Sequence, residues 1–159
     1  MGQGAHILFY DGTCKFCDRF VQLGLRHDRA RLWRYSPLQS DFATRELARF
    51  DINAADLDSV HALIAGGTGV TARVAPESAA ATARDGDATP KLLSSSDAAA
   101  FFYRTLSGWP RPLGWLLTAM PRFIREPLYR LIARNRYRLF GRYETCKVPM
   151  PEQRDLFLE

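Results

Sequence analysis

The stretch "HILFYDGTCKFCDRFVQLGL", residues 6–25, constrains the fold more than any other part of the chain. An apolar run, "AHILFYD" (5–11), ends at Asp-Gly and reads as a buried strand. Two cysteines, Cys14 and Cys17, follow three residues apart, and from there the periodicity changes. Phe16, Phe20, Leu23 and Leu25 recur at three- and four-residue spacing, so 14–26 reads as a helix. Asp11 and Thr13 are the candidates to cap it.

The later segments extend this strand–helix start. "ARLWRYSPL" (30–38) alternates as a strand and stops at Ser-Pro. "DFATRELARF" (41–50) reads as a short helix with Phe42, Leu47 and Phe50 on its apolar face, and "DSVHALIAGG" (58–67) as a third strand. Residues 66–91 are rich in Gly, Ala, Thr and Pro and nearly lack large apolar residues, which suits a long, flexible hairpin loop or insertion. "KLLSSS" (91–96) suits a returning fourth strand, and Ser95 or Ser96 caps a helix over 97–106. Beyond Trp109, Pro110, Pro112, Pro121 and Pro127 cut the chain into short helices. The longest is expected over 126–143, with Pro127 at its first helical position, Gly141 as its C-cap, and Leu128, Leu131, Ile132, Leu139 and Phe140 as its apolar face.

The expected order is strand–helix–strand–helix–strand–strand–helix. The first unit is a parallel β-α-β and the last two strands an antiparallel hairpin. A Cys-x-x-Cys after the first strand of such a unit is the thioredoxin-like arrangement. The expected fold class is therefore α/β: a thioredoxin-like mixed four-stranded sheet flanked by helices, with an α-helical C-terminal extension. One domain is expected over the 159 residues, a core over 5–107 followed by a helical, Arg-rich extension and tail over 108–159.

Cysteines at i and i+3 on a first helical turn share a face and are close enough for a disulfide. A thiol at a helix N-terminus also meets unpaired backbone N–H groups and the positive end of the helix dipole, which favour its thiolate. Cys14 is thus the expected exposed nucleophile and Cys17, one turn inside, the resolving thiol. Lys15 adds a cation between them. Asp11 has two compatible readings: its carboxylate closes the strand-to-helix turn, or it relays a proton to or from a cysteine during exchange. It does not activate Cys14, because like charge opposes the thiolate. Two inert buried thiols remain an alternative. Structural zinc is a weak one, since the other candidate ligands, His6, His27, His61 and Cys146, are scattered singly.

"YDGTCKFC" matches the Asp-Gly-x-Cys-x-x-Cys signature of the DCC family of thiol-disulfide oxidoreductases, and the resemblance covers nearly the whole chain. "SSSDAA" (94–99) resembles the family's Ser-Asp-Ala helix start, while "LYRLIARNRYRLFGR" (128–142) and "CKVP" (146–149) are similar to its late segments. The resemblance implies a thioredoxin-like fold with a helical C-terminal extension and a redox role resting on the motif matched by Asp11, Cys14 and Cys17. For that chemistry the expected substrate is a protein or small-molecule disulfide and the expected electron donor a thiol, with no cofactor or metal beyond the dithiol itself. One departure concerns the wider thioredoxin class, which places a cis-proline before the third strand: "DLDSVHALI" (56–64) has no proline.

Charge is unevenly spread. The net charge is +5, but residues 101–145 hold nine arginines against Glu126 and Glu144. Arg134, Arg138 and Arg142 follow one another at helical spacing, and Arg136 lies between them. The simplest expectation puts the aromatics of this segment in the core and its arginines in water. The alternatives are that the arginine stripe holds an anion or docks against carboxylates of the first half of the chain, or that 109–142 makes a peripheral membrane contact with Trp109, Trp115 and Phe123 as interfacial anchors. No recognised motif supports nucleic-acid binding. Cys146 is expected either to pack the tail onto the core or to serve as a second resolving thiol.

The start of the chain lacks a charged n-region and a long apolar run, and no stretch of 18 or more apolar residues occurs, so a reducing cytoplasm is the expected compartment. The best-supported function is disulfide exchange by the Cys14–Cys17 dithiol. The alternative is a non-enzymatic, redox-responsive interaction module on the same scaffold.

Overall fold

The computed structural model describes residues 6–54, 60–64, 91–145 and 151–158. Strand β1 (His6–Tyr10) leads through a tight turn into helix α1 (Lys15–His27), followed by β2 (Trp33–Pro37) and α2 (Asp41–Ala48). Then come β3 (His61–Ile64), β4 (Lys91–Ser94) and α3 (Ser95–Thr105). Helices α4 (Pro110–Ala119) and α5 (Arg122–Phe140) form the extension, and a 3-10 segment, Pro151–Leu156, ends it. The four strands form one sheet in the order β2-β1-β3-β4. β1 runs parallel to β2, with Leu8 opposite Tyr35, and antiparallel to β3, with Leu8 opposite Ala62. β3 and β4 are antiparallel, with Leu63 opposite Leu92. This is the thioredoxin-like mixed sheet that the sequence predicts.

Alternation along the strands divides the core between the two faces of the sheet. Leu8, Trp33, Tyr35 and Ile64 pack with Phe20 of α1 and with Phe101 and Phe102 of α3. Phe9 and Leu63 point the other way and pack with Ala43 and Leu47 of α2. β1 is covered on both faces, which is why "HILFY" is continuously apolar rather than alternating. The outer edge of β2 is covered by the tail: the Leu158 N–H donates to the Tyr35 carbonyl at 2.8 Å, and Ser36 Oγ donates to the Leu158 carbonyl at 2.8 Å. An edge strand that would otherwise invite pairing is closed within the chain.

Several expected boundaries move. α3 begins at Ser95, two residues early, because the chain passes from β4 into the helix without a loop. The predicted caps, Ser95 and Ser96, therefore lie inside the helix; Ser94 holds the cap position, and its hydroxyl pairs with His61 Nδ1 at 2.9 Å instead. α5 starts at Arg122 after Pro121, so Pro127 is an interior residue rather than the first of the helix. Gly141 does end α5, with φ +82°, a conformation that favours glycine. The insertion expected at 66–91 lies outside the described residues except for Lys91, which opens β4.

In the extension most arginines are exposed as expected, but the expected burial fails at particular residues. Arg125 and Arg136 are buried, whereas Trp109, Phe123, Leu131 and Leu139 are exposed. Arg125 is inside because it ties three helices together. Its guanidinium pairs with Asp97 of α3, its Nε donates to Ser96 Oγ at 3.2 Å, and its Nη1 donates to the Leu117 carbonyl of α4 at 2.9 Å. Of the apolar face expected to pack inward, Leu131 and Leu139 point outward, whereas Phe140 packs on Phe16 and the half-exposed Leu128 and Ile132 border a cavity. Among the described residues no helix is long and apolar enough to cross a membrane.

Candidate active site

The site is built where β1 stops. The Cys14 N–H returns to the Asp11 carbonyl at 3.2 Å, so residues 11–14 form a tight turn. Asp11 Oδ1 accepts the Thr13 N–H at 3.0 Å and the Thr13 hydroxyl at 2.8 Å. Neither Asp11 nor Thr13, the two predicted caps, occupies the capping position. Cys14 does, in an extended backbone conformation, and its Sγ accepts the Cys17 N–H at 3.3 Å. The first turn of α1 thus presents a free N–H to sulfur, the arrangement that favours a thiolate.

Both cysteines are reduced and buried. The Cys14 thiol is lowered to about 6. The largest cause is the hydrogen bond from the Cys17 side chain; burial opposes the shift, and the Cys17 N–H and the positive charge of Arg136 support it. Cys17 moves the opposite way. Its hydrogen bond to Cys14, its burial and the Cys14 charge all hold its proton on. The pair is thus split into a thiolate and a thiol, the division of labour that exchange requires.

The cation acting on this pair comes from α5. Arg136 Nη2 lies 3.6 Å from Asp11 Oδ2, and both side chains are almost completely buried. Lys15, which the sequence places between the cysteines, instead sits over the Tyr143 ring at 5.4 Å. Asp11 is also held by the Tyr137 hydroxyl and by Gln39 Nε2 at 2.8 Å. Burial pushes its carboxyl up, but the hydrogen bonds from Tyr137, Thr13 and Gln39 outweigh burial and leave it below its ordinary value. Asp11 is therefore ionised, and its charge is one of the influences that keep Cys17 protonated.

Cys14 was expected to be exposed and is not. The chain after Gly141 crosses the turn and covers it. The Tyr143 N–H donates to the Thr13 carbonyl at 2.8 Å, Arg142 Nε donates to Thr13 Oγ1 at 3.1 Å, and Cys14 pairs with Arg142 in an isolated β-bridge. Phe140 packs on Phe16 at 4.8 Å. The residue before β3, Val60, also has its backbone engaged. Its N–H donates to the Tyr129 hydroxyl at 3.0 Å, and its carbonyl accepts the Ser95 N–H at 2.9 Å. α5 thus covers the site on two sides.

A cavity of about 230 Å³ remains open beside the dithiol. Cys17, Asp11 and Arg136 line it at the sheet end, and Leu117, Leu128 and Ile132 line it at the helices of the extension. Its walls are mostly apolar. Among the described residues no group of three or more His, Cys, Asp or Glu gathers in a way that could hold a metal ion. Cys146 lies outside the described residues.

The structure brings Asp11, Cys14 and Cys17 into one turn and adds Arg136, Tyr137, Gln39 and Tyr129, which the sequence reading did not assign to the site. The "NRYR" run (135–138) was visible as charge. Nothing in its spacing says that Arg136 faces a buried carboxylate more than a hundred residues earlier.

Comparison with known proteins gives the family. A family model described as DCC1-like thiol-disulfide oxidoreductase matches residues 8–142. The chain is 28% identical over 152 residues to YuxK, an uncharacterized protein of Bacillus subtilis, covering 96% of this chain and 93% of that protein. It is 29% identical over 143 residues to the DCC family protein At1g52590, chloroplastic, of Arabidopsis thaliana, covering 89% of this chain and 69% of that protein. No solved structure matches it.

Proposed function

The chain belongs to the DCC1-like thiol-disulfide oxidoreductase family, and on that footing we propose that it is an enzyme of thiol-disulfide exchange acting through Cys14 and Cys17. The observation that carries this reading is Cys14 Sγ at the head of α1, accepting the Cys17 N–H at 3.3 Å, with its thiol lowered to about 6. Near neutral pH such a sulfur is largely thiolate, and the thiolate is the nucleophile.

In this reading the Cys14 thiolate attacks one sulfur of a substrate disulfide. The substrate S–S bond breaks, a Cys14 mixed disulfide forms, and the departing thiolate takes a proton. Cys17 then gives up its proton and attacks the Cys14 sulfur, releasing the second substrate thiol and leaving a Cys14–Cys17 disulfide. A thiol donor restores the dithiol. Asp11 holds the turn and, as an ionised carboxylate lining the same cavity as Cys17, relays the Cys17 proton to the departing substrate thiolate. The segment 141–143 must lift for a substrate sulfur to reach Cys14 in line.

The test is alkylation against pH. Cys14 should be modified first, with a midpoint near 6, and Cys17→Ser should accumulate a mixed disulfide with a small aromatic disulfide. Failure of Cys14 to react faster than a free thiol, together with failure to oxidise the pair in the folded state, would sink the proposal.

The cover over Cys14 favours a second reading, in which oxidation of the dithiol only changes a surface that a partner reads. A partner whose binding survives in a Cys14→Ser, Cys17→Ser double variant supports that module. A mixed disulfide that depends on Cys14 supports the enzyme.

A further inference from the structure

Turning Arg125 and Arg136 inward leaves the aliphatic residues of α5 facing outward. Ile124, Leu128, Leu131 and Leu139 are 49%, 46%, 60% and 67% exposed. Their spacing of four, three and eight residues places them in one stripe along the helix. Trp115 and Leu116 of α4 are also more than half exposed. The exposed Arg130, Arg134 and Arg138 run at four-residue spacing along the neighbouring face of α5. An exposed apolar stripe flanked by basic residues has the pattern of a docking site.

Charge decides what docks there. Residues 101–145 carry a net charge of +7, against −1 for residues 1–100. A second copy joined through this face would set one positive segment against another. The complementary occupant is apolar and anionic at once. We propose that the α4–α5 face seats on an anionic phospholipid surface, with its leucines and Trp115 at the acyl boundary and its arginines among the headgroups. The cavity that ends on Cys17 is lined by the exposed Leu128 and Ile132 of this same helix. The docked face is then the one through which an apolar molecule reaches the dithiol. Lipid binding itself does not depend on the redox reading, so the two can fail separately.

Flotation of the full chain with phosphatidylcholine vesicles, with and without phosphatidylserine, tests the proposal. The protein should float with the phosphatidylserine vesicles and only weakly without them, and high salt should weaken binding. Tryptophan emission should shift to the blue, because Trp109 and Trp115 are exposed whereas Trp33 is buried. Leu131→Ser with Leu139→Ser changes only exposed positions and should abolish flotation while circular dichroism stays unchanged. Arg134→Gln with Arg138→Gln should weaken binding by about 30-fold, from about 1 kcal/mol per charge. Absence of flotation with either vesicle overturns the proposal, as does flotation that survives the leucine changes. A dimer that dissociates on the leucine changes also overturns it, because the face would then be a self-association surface.

Discussion

Around the sheet, Leu8, Phe9, Trp33 and Phe101 are sealed from water, and among the described charged residues there only Asp11 is buried with them. In α5 the order is turned round: Arg125 and Arg136 are inside, and Leu131 and Leu139 are outside. The sheet half is held by apolar area removed from water. The extension is fastened to it at two buried charge pairs, Arg125 with Asp97 and Arg136 with Asp11, beside the close packing of α4 on α3 and of Phe140 on Phe16. The second pair also belongs to the candidate site, so a contact that fastens α5 also brings a cation to bear on the dithiol. A helix attached by apolar packing alone would leave the cysteines without a nearby cation.

The largest effect should follow from breaking that bond. Arg136→Met leaves the Asp11 carboxylate buried without its cation and should lower stability by about 3–5 kcal/mol in denaturant unfolding. Leu139→Ser, at an exposed position of the same helix, should change stability by less than about 0.5 kcal/mol. Adding Asp11→Asn to Arg136→Met should recover part of the loss, and the double-mutant cycle gives the coupling. Equal costs for Arg136→Met and Leu139→Ser would break the comparison between the two halves.

That contrast also marks what the sequence could reveal. The strand before Cys14, the helix after it, the parallel first unit and the closing hairpin were all legible. The elements are written in local periodicity and the connections in their order, although the continuously apolar β1 does not say which side chains face which layer. The turn bearing Asp11, Cys14 and Cys17 was legible for the same reason. The apolar stripe of α5 was legible as a stripe, but periodicity gives a face and not the direction in which it points. Direction depends on whether Arg136 finds Asp11, a contact that only the fold creates. The cover over Cys14 was hidden likewise, since "FGRY" (140–143) reads locally as a helix end and nothing more.

A smaller effect separates the halves by pH. The Cys14 thiol is about 6 in the folded protein and near its ordinary value of 9.0 once unfolded. Between these values the unfolded chain binds more protons, so Cys14 adds stability as pH rises through that window and loses it as pH falls toward 6. Cys17 is raised instead, so its contribution is complete below its unfolded value and declines as pH rises further. The reduced protein should therefore gain stability from pH 6 to 9 relative to Cys14→Ser, and lose part of the gain above. Unfolding of both proteins across the series measures the difference, in which the titration of His6 and His61 cancels. A flat difference would mean that the folded dithiol holds no thiolate.

The smallest expected effect concerns which cation Cys14 feels. Lys15 is its neighbour in sequence, yet the lysine ammonium lies over Tyr143 rather than at the sulfur. Arg136 is distant in sequence, yet its charge is among the causes that lower the Cys14 thiol. Lys15→Ala should leave the pH midpoint of Cys14 alkylation where it is, because a charge in reach of water is screened. Arg136→Gln should move the midpoint upward, because its charge acts from a buried position where screening is weaker. The arginine change also disturbs stability, so both variants are compared at low temperature with folding checked by circular dichroism. A midpoint that shifts with Lys15 and not with Arg136 would place control of the thiolate in the Cys-x-x-Cys turn alone, and would reduce α5 to a cover.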